Sequence, residues 1–223
     1  MWVKICGLTN EEDALLAVAL DADALGFVFA PSTRRLTVDA ARDIARRIPP
    51  EVLTVGVFRD EPRENVVKAV HRAGLRAAQL HGHESPEDTR WVRERVPIVI
   101  KGFAAGTSAL THAADYGADA VLVDSPSPGS GEVFDWSLAE GAPVSGRVIL
   151  AGGLRPENIA AAIGQVRPWG VDVSSGVEAS PGRKDARKLR SFIANARSAG
   201  ASLAERREAA GPADLVPFDW QKE

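Results

Sequence analysis

The chain has 223 residues, 45% apolar and 26% charged, a composition typical of a folded globular protein of one large or two small domains. Its 27 basic and 30 acidic side chains give a net charge of -3, so the overall charge does not favour a nucleic-acid partner. Its apolar runs all fall short of the roughly 18 residues that a transmembrane helix needs, so we expect no membrane partner.

Eight short apolar runs recur at spacings of about 20 to 29 residues, and we predict that each forms a β-strand followed by a helix. The runs are rich in Val, Ile, Leu and Phe with little polar alternation, as in parallel strands that are buried on both faces. The predicted strands are 3–6, 24–29, 53–58, 77–80, 98–101, 120–124, 148–151 and 170–173.

Helix signals lie between these runs. Thr9 precedes Glu12 by three positions, the spacing of a capping box at a helix start. Ser85 followed by Pro86 predicts a second helix start, with proline in the first helical position. Three glycines follow helical stretches and are predicted to close them in a left-handed conformation: Gly74, Gly117 and Gly200.

Eight strands that alternate with helices predict an α/β fold, a single (β/α)8 TIM barrel of parallel strands. An open doubly wound sheet is the main competitor. It would suit a dinucleotide-binding protein, but the segment after the first strand has one glycine where that motif needs three. We predict a catalytic barrel over residues 1–199 and a C-terminal tail over 200–223, either mobile or packed on the barrel.

Active sites of such barrels lie where the strands end, and two strand ends carry reactive groups. Cys6 ends the first strand and is either a buried thiol or a thiolate that acts as base or nucleophile. Asp124 ends the sixth strand and either caps the following loop or takes part in catalysis. Cys6 is also the only cysteine, which excludes an intrachain disulfide and a multi-cysteine metal cluster. Acidic residues at 11–13 stand where a signal peptide would be apolar, and we expect a cytoplasmic protein.

The ends of the seventh and eighth strands are rich in glycine and serine, and together they predict a phosphate site. Backbone N–H groups of such loops, and the start of a short helix after the eighth strand, favour an anion. The residues concerned are Gly152, Gly153, Ser174, Ser175 and Gly176. Glu178 follows them and is expected to cap that helix.

Arginines and histidines near two other strand ends have both a functional and a structural interpretation. Arg34 and Arg35 either bind a carboxylate in a two-point fork or lie solvated on the surface. His81 and His83 resemble a metal pair, but we expect their rings to point apart and find no third ligand, so no metal is predicted.

These strand ends, in this order, resemble the phosphoribosylanthranilate isomerase family of tryptophan biosynthesis. The resemblance covers residues 3 to 197. The matching pieces are 4–9 (KICGLT), 26–29 (GFVF), 33–35 (TRR), 55–58 (VGVF), 79–82 (QLHG), 123–125 (VDS), 129–131 (GSG), 134–136 (FDW), 151–154 (AGGL), 156–158 (PEN), 172–178 (DVSSGVE) and 181–182 (PG). Two features depart from the family pattern: Glu132 after the Gly-Ser-Gly segment, and the tail after residue 200.

The resemblance implies an isomerase that rearranges N-(5-phosphoribosyl)anthranilate to 1-(2-carboxyphenylamino)-1-deoxyribulose 5-phosphate without a cofactor. By that likeness Asp124 is the general acid, Cys6 is the general base and Arg35 binds the anthranilate carboxylate. The remaining substrate-binding residues would be Gln79, His81, Gly152, Gly153, Asp172, Ser174, Ser175 and Gly176. The partners implied are a small-molecule substrate and, at most, a second copy of the chain, since the enzyme would be a monomer or a homodimer.

Two alternatives remain at this stage. A related histidine-pathway isomerase would use aspartates at the ends of strands one and five, where this chain has Cys6 and Lys101. A non-catalytic barrel that senses a phosphorylated aromatic ligand would bind substrate and product without interconverting them. A turnover assay distinguishes such a sensor from an isomerase.

Overall fold

A computed structural model describes residues 1–125, 136 and 146–210, with side chains to residue 205. Eight parallel strands form a closed barrel in the order β1 to β8, and β8 pairs with β1. This confirms the predicted (β/α)8 barrel, because an open sheet would leave the first and last strands unpaired. The strands are β1 Trp2–Ile5, β2 Ala24–Val28, β3 Leu53–Phe58, β4 Ala77–Leu80, β5 Ile98–Ala104, β6 Ala120–Asp124, β7 Val148–Leu150 and β8 Gly170–Val173.

Helices surround the barrel, and a small hairpin follows β8. The helices are α1 Glu11–Ala19, α2 Val38–Ala45, α3 Arg63–Ala73, α4 Pro86–Arg93, α5 Ser108–Thr111, α6 Ile159–Val166 and α7 Ala186–Ala210, with 3-10 turns at Ala113–Tyr116 and Ser175–Val177. The hairpin strands are β9 Glu178–Ser180 and β10 Arg183–Lys184. None of the helices in these described ranges is long and apolar enough to cross a membrane.

Two apolar layers hold the barrel together. The outer layer lies between strands and helices and includes Phe27, Leu80 and Phe192, all at most 2% exposed. The inner layer fills the barrel itself with residues such as Leu122 and Ile149. Fully burying one such side chain contributes about 1.5–3 kcal/mol. Because the inner layer fills the barrel, ligands can bind only at its ends.

Two helix starts were predicted, and one of them is placed one residue too early. Ser85 caps α4 by accepting a hydrogen bond from the Asp88 backbone N–H, as predicted. The cap of α1 is Asn10, whose side chain accepts from the backbone N–H of Asp13. The prediction of Thr9 as the cap is therefore wrong. Its hydroxyl instead donates to the carbonyl of Gly182, which ties the end of β1 to the hairpin.

Two of the three predicted helix-closing glycines are confirmed. Gly74 and Gly117 take the left-handed conformation, with φ of 65° and 64°. Gly200 does not, because α7 continues through it to Ala210. A side chain at Gly200 would collide with Met1, so close packing of α7 against the N-terminus explains this glycine.

The first part of the predicted tail is therefore helical, and Leu203 packs against the core. Residues 211–223 lie outside the described ranges. So do residues 129–132, which carry the Gly-Ser-Gly segment and Glu132, and residues 134–135 of the FDW piece.

Candidate active site

The C-terminal ends of the strands surround a cavity of about 240 Å³ at the barrel mouth. This is the end at which barrels of this kind bind their ligands. The cavity is lined by nine of the eleven site residues predicted from the sequence: Cys6, Gln79, His81, Asp124, Gly152, Gly153, Asp172, Ser174 and Ser175. The structure thus brings together predicted residues from the ends of β1, β4, β6, β7 and β8.

The other two predicted residues lie beside this cavity. Gly176 lines an adjacent cavity, which also borders Gly153, Ser175 and Lys188. Arg35 is exposed, whereas its neighbour Arg34 lines the main cavity.

Cys6 lies at the end of β1, and its residue is 8% exposed. A β-carbon at Gly26 on the neighbouring strand would lie 2.8 Å from its Sγ atom, so the thiol occupies space that only glycine leaves open. Burial raises the pKa of the Cys6 thiol, and the positive charge of Lys4 opposes this rise without cancelling it. The surroundings of Cys6 thus include the charge that a thiolate needs.

Asp124 ends β6 and is 8% exposed. Its Oδ1 atom accepts a hydrogen bond from the backbone N–H of Ser125 at 2.7 Å. A β-carbon at Gly152 would lie 2.5 Å from the Ser125 nitrogen and 2.7 Å from Asp124 Oδ1. Gly152 also has a φ of 84°, which disfavours other residues. Only glycine at position 152 therefore leaves room for the Asp124 carboxyl group where it lies.

Gln79 and His81 connect β4 to Asp124. The Gln79 side-chain nitrogen lies 3.0 Å from His81 Nδ1, and an amide nitrogen can only donate, so Nδ1 accepts. The other ring nitrogen, Nε2, lies 3.2 Å from Asp124 Oδ2, although the two do not form a well-aligned hydrogen bond. Gln79 Oε1 and His81 Nε2 are buried polar atoms without a hydrogen-bond partner among the described residues. Both atoms are therefore available to a polar ligand in the cavity.

His83 points away from this group, as expected. Its ring is 89% exposed and contacts Asp60, not Asp124. Within the described ranges, His, Cys, Asp and Glu side chains form no group of three that could hold a metal ion.

The two glycine-rich loops meet at one side of the mouth. Gly152 and Gly153 both have positive φ, at 84° and 62°. A side chain at Gly176 would overlap the carbonyl of Leu154, so the backbones of the two loops are in direct contact. The short helix predicted after the eighth strand is a 3-10 turn at Ser175–Val177. The two loops predicted to bind phosphate thus lie against each other.

Behind these loops lies a buried ionic network that the sequence did not indicate. The Glu178 carboxylate accepts two hydrogen bonds from the Arg34 guanidinium, at 2.8 and 2.7 Å, and one from Lys184 Nζ at 3.1 Å. The Lys184 ammonium also donates to the carbonyls of Cys6 and Ser174. The expected role of Glu178 as a helix cap is therefore wrong. Arg34 does bind a carboxylate through two parallel hydrogen bonds, as predicted for the arginines, but that carboxylate belongs to Glu178 of the protein itself.

Sequence reasoning missed Arg59, which lines the cavity, and two buried lysines behind it, Lys4 and Lys184. Both side chains are 0% exposed, Lys4 paired with Asp172 and Lys184 with Glu178. A lysine in an otherwise apolar strand is a usable signal for Lys4, but its partner Asp172 is 168 positions away in the sequence. Lys101, considered as a strand-end residue, lies within β5 and pairs with Glu84 at 3.0 Å. A lysine paired in this way cannot replace the second aspartate that a histidine-pathway isomerase would use at this strand.

The fold and the mouth define a (β/α)8-barrel enzyme in which a thiol and a carboxyl group line one cavity next to two glycine-rich loops. Sequence comparison identifies the family. The profile described as N-(5'phosphoribosyl)anthranilate (PRA) isomerase matches residues 3–195. This chain belongs to the N-(5'-phosphoribosyl)anthranilate isomerase family.

Individual relatives agree with this assignment over nearly their whole length. The N-(5'-phosphoribosyl)anthranilate isomerase of Desulforudis audaxviator is 53% identical over 204 residues, which cover 88% of this chain and 98% of the relative. The crystal structure of the phosphoribosyl anthranilate isomerase of Thermus thermophilus has 47% identity and a TM-score of 0.84, with coverage of 89% and 99%. Another solved isomerase, with 42% identity, a TM-score of 0.79 and the same coverage, is in complex with reduced 1-(o-carboxyphenylamino)-1-deoxyribulose 5-phosphate.

Proposed function

We propose that this chain rearranges N-(5-phosphoribosyl)anthranilate to 1-(2-carboxyphenylamino)-1-deoxyribulose 5-phosphate in tryptophan biosynthesis, with Asp124 as general acid and Cys6 as general base. Family membership supports the reaction. The observation that carries the residue roles is that Cys6 and Asp124 line the same cavity from strands three steps apart around the barrel. The reaction needs one proton donor and one proton acceptor on either side of the same sugar.

The first step opens the ribose ring. Asp124 donates its proton to the ring oxygen, the bond between that oxygen and C1 breaks, and the anthranilate nitrogen supplies the electron pair that makes the Schiff base. The carboxylate left behind keeps the hydrogen bond from the Ser125 N–H and lies 3.2 Å from His81 Nε2. These neighbours stabilise the charge that develops on Asp124.

The second step moves hydrogen from C2 to C1 of the sugar. The Cys6 thiolate removes the proton from C2, and the electron pair of that bond neutralises the Schiff base to give an enolamine. The enolamine gains a proton at C1 and loses its hydroxyl proton, which leaves the ketone. One carbon is oxidised while its neighbour is reduced, so the step balances without a redox cofactor.

Binding of the remaining substrate groups is assigned to the rest of the mouth. The loops of Gly152–Gly153 and Ser174–Gly176 would hold the phosphate, and their contacting backbones support a shared site. The unpaired polar atoms of Gln79 and His81, together with the Asp172 carboxylate, would bind sugar hydroxyls. Arg35 would bind the anthranilate carboxylate. Its side chain is exposed and would have to turn towards the cavity that Arg34 lines.

The proposal extends to the setting of the enzyme. We assign catalysis to residues 1–199. A cytoplasmic location suits a base that has to remain a free thiol, since that compartment keeps cysteines reduced. A solved relative from Thermotoga maritima is described as a dimer from which monomers were generated. By that likeness this chain acts as a monomer or a homodimer, which sedimentation of the purified protein would decide.

Loss of substrate fluorescence on mixing with the purified chain tests the reaction, and two variants test the roles. Asp124→Asn keeps the size of the side chain and removes the acid proton, while Cys6→Ser replaces the thiol by a hydroxyl that hardly ionises. Each is expected to lower kcat by about 10²-fold or more, the scale of lost acid or base catalysis, with product binding largely kept. Asp43→Asn, on the exposed face of α2, is the matched control.

The double variant is expected to lose less than the product of the two single effects, because both groups serve one proton-transfer sequence. Cys6→Ser with near-native turnover would refute the base assignment. A native chain that binds substrate and product without interconverting them would instead be a sensor, and the proposed reaction would be wrong.

A further inference from the structure

A fully buried ammonium group lies beside Cys6. Lys4 precedes Cys6 by two residues on β1, so both side chains point into the barrel from the same face of the strand. A β-carbon at Gly26 would lie 2.8 Å from Cys6 Sγ and 3.1 Å from Lys4 Nζ. Both atoms therefore lie next to Gly26 and within about 6 Å of each other. Charges at that distance interact strongly in a buried site.

The fold itself gives little reason to place a lysine here. The Lys4 side chain is 0% exposed, and its Nζ atom donates to Asp172 Oδ1 at 3.0 Å. A buried ion pair is seldom more stable than apolar residues of the same size, so the inner layer of the barrel would be at least as stable with an apolar side chain. Asp172 lines the cavity, and the pair thus places a fixed positive charge under the reactive end of β1.

We propose that Lys4 is a positioning residue for catalysis, which holds the Cys6 side chain as a thiolate next to the substrate. The inference rests on the proposed function, in which Cys6 is the base. It adds the cation that opposes the effect of burial on this thiol.

The charged groups that face Cys6 come from four elements. Lys4 lies on β1, Asp172 on β8, Lys184 on β10 and Arg34 in the loop after β2. Burial raises the pKa of the Cys6 thiol most strongly, and Lys4 is the main group that lowers it. Asp172 raises this pKa and Lys184 lowers it. Each of these cations is paired, Lys4 with Asp172 and both Arg34 and Lys184 with Glu178, and among them Lys4 lowers the pKa of the thiol most.

Because the chain has one cysteine, alkylation of the purified protein by iodoacetamide reports on Cys6 alone. The experiment measures the alkylation rate against pH for the native protein and for Lys4→Met. We expect the midpoint of the Lys4→Met curve to rise by about one pH unit or more, which makes alkylation at pH 7 about tenfold slower. Asp172→Asn is expected to lower the midpoint, because it removes the opposing negative charge while Lys4 remains.

Opposite shifts in these two variants separate an electrostatic effect from loosened packing, which would move both curves in one direction. Lys101→Met is the matched control, since it removes an equally buried lysine that pairs with Glu84 and does not face Cys6. Its midpoint should equal the native one. Circular dichroism establishes which variants are folded. Lys4→Gln, which keeps a hydrogen-bond donor for Asp172, replaces Lys4→Met if the latter does not fold.

A folded Lys4 variant with a midpoint within about 0.3 pH unit of the native value would overturn the inference. So would an upward shift in Asp172→Asn. The acidic limb of the kcat/KM profile should move with the alkylation midpoint. If the midpoint moves and the limb does not, Lys4 stabilises the thiolate but Cys6 is not the base, and the proposed function is then wrong at that residue.

Discussion

Glu178→Gln is predicted to destabilise the barrel mouth, because this carboxylate pairs with two cations. The carboxylate accepts from Arg34 in the loop after β2 and from Lys184 in β10, and it also accepts from the backbone N–H of Gly182. Its side chain is 6% exposed. Glutamine keeps the size of this side chain but removes the charge on which both cations depend.

The expected loss of stability depends on the contacts that Arg34 and Lys184 keep when the carboxylate is removed. Removing one partner of a buried ion pair costs about 3–5 kcal/mol, because the other charge stays buried. Arg34 is 17% exposed and can reach water, and Lys184 keeps its hydrogen bonds to the carbonyls of Cys6 and Ser174. We therefore expect the lower end, a decrease of about 3 kcal/mol in the free energy of unfolding at pH 7. For a chain of this length that is a fall in Tm of roughly 6–12 °C.

The same substitution has a predicted pH dependence. Burial alone would raise the pKa of the Glu178 carboxyl, but the hydrogen bonds from Arg34 and the charge of Lys184 hold it below its ordinary value. A lowered pKa contributes stability that is present above the carboxyl pKa of the unfolded chain, about 4.3, and is lost as the pH falls through the folded value. The difference between native and Glu178→Gln should therefore shrink below about pH 4.

Urea unfolding followed by circular dichroism at pH 7 and in the acid range measures both effects. Glu51→Gln, at an exposed position before β3, is the matched control and should change the free energy of unfolding by less than about 0.5 kcal/mol. A loss below about 1 kcal/mol for Glu178→Gln, or a difference that does not depend on pH, would refute the argument that this carboxylate holds two buried cations.

Two further predictions concern the loops proposed to bind the phosphate, and the C-terminus. Gly176→Ala should raise KM more than it lowers kcat in steady-state assays, because its β-carbon would push apart the loops of β7 and β8 while the phosphate lies far from the reacting carbons. A collapse of kcat at unchanged KM would contradict the assignment. Deletion of residues 201–223 should lower Tm in a thermal scan, because Leu203 packs on the core, while kcat stays within about twofold. A hundredfold loss would place this segment in the site.

The strands of the barrel could be predicted because each is an uninterrupted apolar run buried on both faces. Seven of the eight predicted strands match the structure to within one residue at each end, and the exception is β5, which continues to Ala104. Its extension includes Gly102 and ends in alanine, so apolar character alone does not locate its end. Correct strand ends place Cys6 and Asp124 at one mouth, which is why most of the candidate site could be found without a structure.

The ionic contacts could not be predicted, because barrel closure brings together residues that are far apart in the chain. Lys4 and Asp172 are separated by 168 positions, and Arg34 and Glu178 by 144. Nothing in the local sequence distinguishes Arg34 from Arg35, yet one lines the cavity and the other is exposed. The choice depends on where the loop after β2 meets the hairpin after β8, and this is a property of the folded barrel.

The proposed acid Asp124 and the proposed base Cys6 lie among different side chains at the mouth of the barrel. Two lysines lie beside Cys6: Lys4 is fully buried, and Lys184 binds the Cys6 carbonyl. On the other side, the described neighbours of Asp124 are the Ser125 amide and the His81 ring, which Gln79 supplies with a donor at Nδ1. Lys4 and Lys184 lower the pKa of the Cys6 thiol, against the effect of burial, which raises it. The asymmetry arises because β1 and β8 carry the buried Lys4–Asp172 pair, whereas β4 supplies β6 with an uncharged amide and an imidazole.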